Sequence, residues 1–235
     1  MKEINCVMKK LYEGKTKDVY QLPDGNYLLK FKDDACGEDG VFDPGANQIG
    51  LTIQGKGKAG LKLSNFFFEK INSAGFPTHF VSCDVDKAQM VVCPAKMFGK
   101  GLEVICRYKA TGSFVRRYGD YINEGALLTP AVVEITLKDD KRGDPLITRD
   151  SLAALGILSE KEHDTLVELV KGICALIKNE CAQKKLELFD IKLEFGKAQD
   201  GKIMLIDEVS GDIMRVFDKQ GKSVEPIELA EIITK

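Results

Sequence analysis

The chain has 235 residues, 44% of them apolar and 30% charged, with 34 Lys and Arg against 36 Asp and Glu for a net charge of -2. That balance fits one large or two small globular domains and excludes a protein that coats nucleic acid or anionic membrane through bulk charge, while leaving room for a local basic cleft around a small anion. The odd count of 7 Cys, the lack of a C-x-x-C pair and the presence of only 2 His exclude a disulfide framework and an ordinary zinc site. With no apolar export segment or span-length apolar run, the expectation is a cytoplasmic protein without membrane or nucleic-acid partners.

Short strands are predicted near 6–12, 17–22 and 27–33, with Pro23-Asp24-Gly25-Asn26 as the turn between the second and third. Between the first two lies Gly14-Lys15-Thr16, the end of a phosphate-binding G-x-x-x-x-G-K-[ST] loop. The leading glycine of that pattern would fall on Lys9, and a strand rather than a helix follows. The stretch therefore reads as a glycine hairpin, either an ordinary one with solvated lysines or a cover over a nucleotide with Lys15 and Lys17 reaching phosphates. Residues 36–60, Gly-rich and broken by Pro44, read as a long loop. A helix from Leu61 or Ser64 to Ser73 should stop at Gly75 and Pro77. Strands follow near 78–84 and 88–93, then a buried strand at Val104-Ile105-Cys106, a helical turn over Ser113–Tyr118 and an alternating strand from Val132 to Lys138.

A charged loop covers 138–145. The clearest helix spans 160–183: Ser159 and Glu162 form a capping box, and Leu166, Val170, Ile173, Ile177 and Cys181 share one core-facing stripe. Strands at 186–195 and 203–209, separated by Gln199-Asp200-Gly201, and a final helix over 226–233 complete an α+β pattern of antiparallel sheets with flanking helices. It divides near 95–102 into a β-rich lobe, 1–95, and an α+β lobe, 96–235. His79 and His163, at element starts with no Cys motif nearby, read as structural.

Three clusters carry possible chemistry. In Asp190-Ile191-Lys192-Leu193-Glu194-Phe195-Gly196, the period of two puts Asp190, Lys192 and Glu194 on one face and the apolar residues on the other. That row is either a solvated face or a holder for a metal–phosphate complex. The next strand ends at Asp207-Glu208, which adds a second carboxylate beside Glu194, with Asp212 and Arg215 in the loop beyond. In Glu103 to Ser113, a buried strand delivers Arg107 to a Thr111-Gly112-Ser113 turn: an anion pocket, or an arginine paired with a carboxylate and a serine capping a helix.

The order Y-E-G-K-T-K, L-E-V-I-C-R-Y-K-A-T-G-S, K-D-D-K-R-G-D-P, D-I-K-L-E-F-G, L-I-D-E-V-S-G-D resembles the SAICAR synthetase family over Leu11 to Asp218, and the blocks R-x-x-x-[TA]-G-S and D-x-K-x-E-F-G are specific to it. The resemblance implies a two-lobed fold distantly similar to protein kinases and ATP-grasp enzymes, and an ATP-dependent ligation of L-aspartate to the carboxylate of CAIR with Mg²⁺, commonly in a homo-oligomer. By resemblance, Gly14, Lys15 and Lys17 belong to the flap over the ATP phosphates, and Lys96, Met97 and Leu102 to the hinge beside adenine. Glu194 and Asp207 resemble the Mg²⁺ ligands. Arg107, Ser113 and Arg215 resemble the ribotide-phosphate binders, and Asp190, Lys192 and Asp212 line the reacting-carboxylate region. Lys138 and Asp144 lie in the loop on the aspartate side.

The chain departs from the family pattern at several points. It has Gly101 where Pro is usual, Ser210-Gly211-Asp212 for Ser-Pro-Asp, Arg215-Val216-Phe217-Asp218 for Arg-Leu-Trp-Asp, and a longer segment over 36–50. These changes motivate an alternative, a ligase or kinase-like phosphotransferase acting on a different small carboxylate. A regulatory nucleotide-binding module without turnover has no use for the retained Lys15, Lys192, Glu194 and Asp207.

Overall fold

The structure is a computed structural model and describes residues 8–46 and 48–235. The start of the first predicted strand, at residues 6 and 7, lies outside the described residues, as does Cys6. Three antiparallel strands open the chain, β1 (Lys9–Glu13), β2 (Lys17–Gln21) and β3 (Tyr27–Phe31). Gly14 N donates to Lys17 O at 2.8 Å to close the first hairpin, and Leu22 N donates to Asn26 O at 2.9 Å to close the second. With β7 (Phe80–Asp84) and β8 (Gln89–Val92) they form a sheet in the order β1-β2-β3-β8-β7.

The segment predicted as one long loop differs. It contains β4 (Asp34–Glu38), β5 (Val41–Phe42) and β6 (Ile49–Thr52), joined as a three-stranded sheet in the order β5-β4-β6. Helix α1 (Lys56–Ser73) also begins earlier than predicted. Its N-cap, Gly55, has no side chain. Asp33, distant in sequence, serves instead, accepting from Gly55 N at 3.0 Å and Gly57 N at 2.9 Å. This satisfies the free amides of the first turn.

A second sheet takes residues from 96 onward: β9 (Lys96–Met97), β10 (Leu102–Lys109), β11 (Leu127–Leu137), β12 (Glu187–Lys197), β13 (Ile203–Ile206) and β14 (Met214–Phe217). Its path is β11-β10-β12-β13, with β9 and β14 also on β12. Helix α2 (Ser113–Tyr118) follows β10. Helix α3 (Arg149–Ala154), which the sequence reading did not place, starts where the Thr148 hydroxyl accepts from Ser151 N at 3.2 Å.

Helix α4 (Glu160–Gln183) has the predicted bounds and capping box, with Glu162 N donating to Ser159 Oγ at 3.3 Å and Ser159 N to Glu162 Oε2 at 2.8 Å. Its predicted stripe is buried, and with Val104, Leu193 and Phe195 of the second sheet and Phe67, Phe68 and Ile71 of α1 it belongs to one apolar cluster. Each such side chain contributes about 1.5–3 kcal/mol on burial. Helix α5 (Pro226–Ile233) matches its predicted bounds and packs against α1.

Candidate active site

Register turns the face of the second sheet away from α4 into a polar surface. Glu103 lies opposite Thr136 and Glu194, Ile105 opposite Glu134 and Lys192, and Arg107 opposite Val132 and Asp190. Directly opposed residues share a face, so one acid-rich, base-rich surface runs across β11, β10 and β12. Ile191, Leu193 and Phe195 point into the core, as their alternation predicted.

At one end of that surface, Arg107 is 2% exposed and each of its guanidinium nitrogens has an oxygen partner. Nε donates to Glu134 at 2.8 Å, Nη1 to Asp190 at 2.6 Å and Nη2 to the Ser113 hydroxyl at 2.8 Å. Arg215, across from Asp190 on β14, donates to Asp190 at 2.9 Å and to Asp43 at 2.8 Å. Arg117 adds a second guanidinium to Glu134. Burial pushes the Asp190 carboxyl above its ordinary value, against the pull of Arg215 and Arg107. Arg107, Arg117, Asp190 and Arg215 line a cleft of about 250 Å³ together with Ser113, Arg116, Asp144, Lys192, Glu103 and Gly45. Lys192 donates to Glu103 at 2.9 Å.

At the other end, lysines and carboxylates alternate. Lys17, brought in by the first hairpin, donates to Asp207 at 3.1 Å and to Glu208. Lys138 donates to Glu194. Burial and then the Asp207 charge hold the Glu194 carboxyl above its ordinary value. Burial also opposes the Asp207 charge, but Lys17 and Lys138 outweigh it and hold that carboxyl low. Glu208 keeps its Oε2 buried without a partner. Nearby, Lys56 from the first turn of α1 is 2% exposed and pairs with Asp212. Burial and then the Glu208 charge push Asp212 up to about 6. His79 is buried beside this cluster, and burial pushes its imidazole down to about 4, leaving it neutral at pH 7.

Comparison with known proteins adds a second line of observation. The SAICAR synthetase family model matches residues 10–228. The chain belongs to the SAICAR synthetase family. It is 56% identical over 227 residues to the phosphoribosylaminoimidazole-succinocarboxamide synthase of Clostridium tetani, covering 96% of this chain and 99% of that one. It superimposes on a SAICAR synthetase solved in complex with ADP with a TM-score of 0.81 at 32% identity, covering 91% of this chain and 87% of that one. It also superimposes on the phosphoribosylaminoimidazole-succinocarboxamide synthase of Ehrlichia chaffeensis with a TM-score of 0.83 at 25% identity, covering 92% and 89%.

Of the residues assigned from the SAICAR synthetase pattern, Arg107, Ser113, Asp144, Asp190, Lys192 and Arg215 gather around the cleft. Lys17, Lys138, Glu194 and Asp207 gather in the lysine–carboxylate cluster, with Asp212 flanking it. Lys15, at the hairpin tip, pairs with Asp140 at 2.6 Å. Lys96 and Met97 are exposed on β9. Leu102, assigned with them to the hinge, has its side chain 1% exposed in the apolar core, because position 102 alternates with Glu103 and takes the inward face of β10.

Sequence reasoning missed Glu134, Arg116, Arg117, Asp43 and Lys56. Two signals were available. Glu134 shares the period-two face of Thr136 and Lys138, and Arg116 and Arg117 stand three and four residues after Ser113 on a helix. Asp43 and Lys56 lie in the segment misread as loop.

Two of the departures from the family pattern have local reasons. Gly101 sits at φ 120, which proline cannot adopt. At Gly211 a Cβ would lie 2.6 Å from Pro226 Cα, so helix α5 presses where any side chain would stand. Among the described residues, no helix is long and apolar enough to cross a membrane.

Proposed function

We propose that the chain is the ATP-dependent ligase that joins L-aspartate to the carboxylate of CAIR, giving SAICAR, ADP and phosphate in purine biosynthesis. The observation that carries this reading is the pairing, along one sheet face, of a lysine–carboxylate cluster suited to a cation–nucleotide complex with a guanidinium-lined cleft suited to a ribotide phosphate. The ADP complex of the related SAICAR synthetase supports the nucleotide half.

Glu194 and Asp207 fit a magnesium ion by the chemistry of their donors. Two hard carboxylates suit an ion that takes one or two protein oxygens and fills its remaining positions from phosphate and water. When bound, the ion supplies charge neutralisation at the transferring phosphoryl group. Lys15 and Lys17 cover the phosphates from the hairpin at Gly14, and Lys96 and Met97 border the adenine.

Arg107 fixes Ser113 and Asp190, and Asp190 in turn orients Arg215. A ribotide phosphate takes the place of the half-exposed Asp43 carboxylate on Arg215. Lys192 faces the reacting carboxylate between the two regions, with Asp190 and Asp212 along its flanks and Lys138 and Asp144 on the aspartate side. The ribotide carboxylate oxygen takes the γ-phosphoryl group as ADP leaves. The aspartate amine then attacks the acyl carbon, phosphate departs and the amide forms. The protein's contribution is positioning and charge compensation.

In this reading the segment up to 95 is a nucleotide-lid lobe and 96–235 carries the ribotide and metal site. Assembly into a homo-oligomer is a separate expectation, checked by light scattering. The activity itself is tested by following ADP release with Mg²⁺, ATP, CAIR and L-aspartate, each left out in turn. ADP and SAICAR should appear together only in the complete mixture. ATP binding without SAICAR formation would remove the ribotide assignments of Arg107, Ser113 and Arg215.

A further inference from the structure

Asp207 stands at φ 66, in the left-handed region that residues other than glycine seldom occupy. Its neighbours show why that matters. Strand β13 sets Ile206 opposite Glu194 and Leu205 opposite Phe195. Opposed residues share a face and successive residues alternate, so an extended Asp207 would follow Leu205 toward the core, away from Glu194. The left-handed turn breaks the alternation. The carboxylate instead meets Lys17 at 3.1 Å and feels Lys138, the same ammonium that holds Glu194. The backbone at 207 is therefore what brings the two carboxylates to one side.

His79 is placed to hold that backbone. Its main chain is fixed from two directions: His79 N donates to Leu205 O at 3.0 Å, and Cys93 N donates to His79 O at 2.8 Å. Leu205 N in turn donates to Pro77 O at 2.9 Å, so the residues before β7 are stitched to β13. The His79 ring packs against Phe68 with centroids 5.6 Å apart and is buried. Its Nε2 lies 3.0 Å from the Asp207 carbonyl oxygen. That oxygen can only accept, so the ring nitrogen donates. His79 thus grips the strand two residues before the turn with its backbone and the turn itself with its ring.

We propose that His79 is a positioning residue of the metal site, whose ring holds Asp207 in the left-handed turn that sets its carboxylate beside Glu194. This rests on the reading of Glu194 and Asp207 as metal ligands. The reading of His79 as a structural histidine accounts for its burial and omits the destination of its one ring donor.

The test titrates Mn²⁺ into full-length protein with ADP, followed by electron paramagnetic resonance, with CAIR binding by calorimetry as a separate readout. Asp207→Asn examines the ligand assignment itself: wild-type Mn²⁺ affinity there removes that assignment whatever His79 does. Given weakened binding in that variant, His79→Phe, which keeps an aromatic ring and removes the donor, should weaken Mn²⁺ about tenfold to a hundredfold, as loss of an outer hydrogen bond to a metal ligand does. His79→Gln, whose amide has similar reach, should recover most of that loss. CAIR affinity should stay within about twofold in both. Wild-type Mn²⁺ affinity in His79→Phe overturns the proposal, and so does a parallel loss of Mn²⁺ and CAIR binding, which marks a merely structural role. If His79→Phe lacks the native circular dichroism spectrum, His79→Asn, too short to reach the carbonyl, takes its place with the same two outcomes.

Discussion

In the cleft, each guanidinium nitrogen of Arg107 already has an oxygen partner, and Asp190 is shared between Arg107 and Arg215. In the lysine–carboxylate cluster, Glu208 keeps one buried oxygen without a partner, Asp207 occupies a strained backbone conformation, and Glu194 carries its charge against burial and against Asp207. The first region is a hydrogen-bonded network in which Arg107 holds Ser113 and Asp190, and Asp190 holds one side of Arg215. The second fits the proposed reading, in which a cation and a polyphosphate meet these carboxylates and lysines. Polar groups buried and satisfied make a rigid floor, whereas carboxylates held close together store free energy that a cation releases.

If that contrast is right, removing charge from the two regions has opposite consequences. Arg107→Met leaves Glu134 and Asp190 buried with fewer counter-charges. Breaking a buried ionic network in this way costs about 5 kcal/mol, so the variant should lose most of its stability along with its activity. Urea unfolding measures it, and a midpoint near wild type would show that the cleft is not the rigid element. Glu194→Gln should do the reverse. It relieves repulsion with Asp207 and leaves the half-exposed Lys138 free to turn to solvent, so stability should stay within about 1 kcal/mol of wild type. Turnover should fall roughly 10³-fold, ~4 kcal/mol in the transition state. Equal losses of stability in both variants would erase the distinction.

Acid separates the regions by a third route. His79 titrates at about 4 in the folded protein, below its ordinary value of 6.5, because burial opposes its charge. Above pH 6.5 the ring is neutral in both states and contributes no pH dependence. Below that, the unfolded chain takes up a proton that the folded chain refuses until about pH 4, so stability falls across this window. At 1.36 kcal/mol per unit the fall attributable to His79 is about 3 kcal/mol. Thermal midpoints between pH 7 and pH 4 should show that part of the decline missing in His79→Gln. A decline of the same size in the variant would place the acid sensitivity elsewhere.

What sequence reading could and could not reach follows the same physical lines. The Asp190, Lys192 and Glu194 face was legible because a period of two is local, and helix α4 because its cap and stripe lie within one segment. The start of α1 was not, since its cap is Asp33, 22 residues before Gly55. The three-stranded sheet over 34–52 was hidden by glycines and a proline that read as loop, although its ladder brings Cys36 opposite Ile49. Asp207 was expected beside Glu194 because its strand neighbours the first and ends in acids, yet alternation along that strand would have sent it to the core. The outcome was reached through a left-handed residue that no periodicity reveals. His79 and Lys56 gave even less signal, because their roles depend on partners 128 and 156 residues away.

The smallest expected effect lies where the hairpin meets the loop that carries Lys138. Lys15 and Asp140 pair at 2.6 Å, but their side chains are 38% and 52% exposed. Solvent screens such a pair, and its contribution to stability is about 0.5 kcal/mol. Asp140→Asn should therefore leave the unfolding midpoint almost unchanged. Lys15→Ala should be equally mild in stability yet raise the KM for ATP about tenfold, ~1.4 kcal/mol, because the proposed function puts this ammonium on phosphate. If Asp140→Asn instead destabilised the protein strongly, the hairpin would be a fixed part of the fold like the Arg107 network. A weak latch is what a phosphate cover requires. Lys17 anchors the hairpin base in the lysine–carboxylate cluster, and in the proposed function an incoming triphosphate would displace Asp140 from Lys15 at its tip.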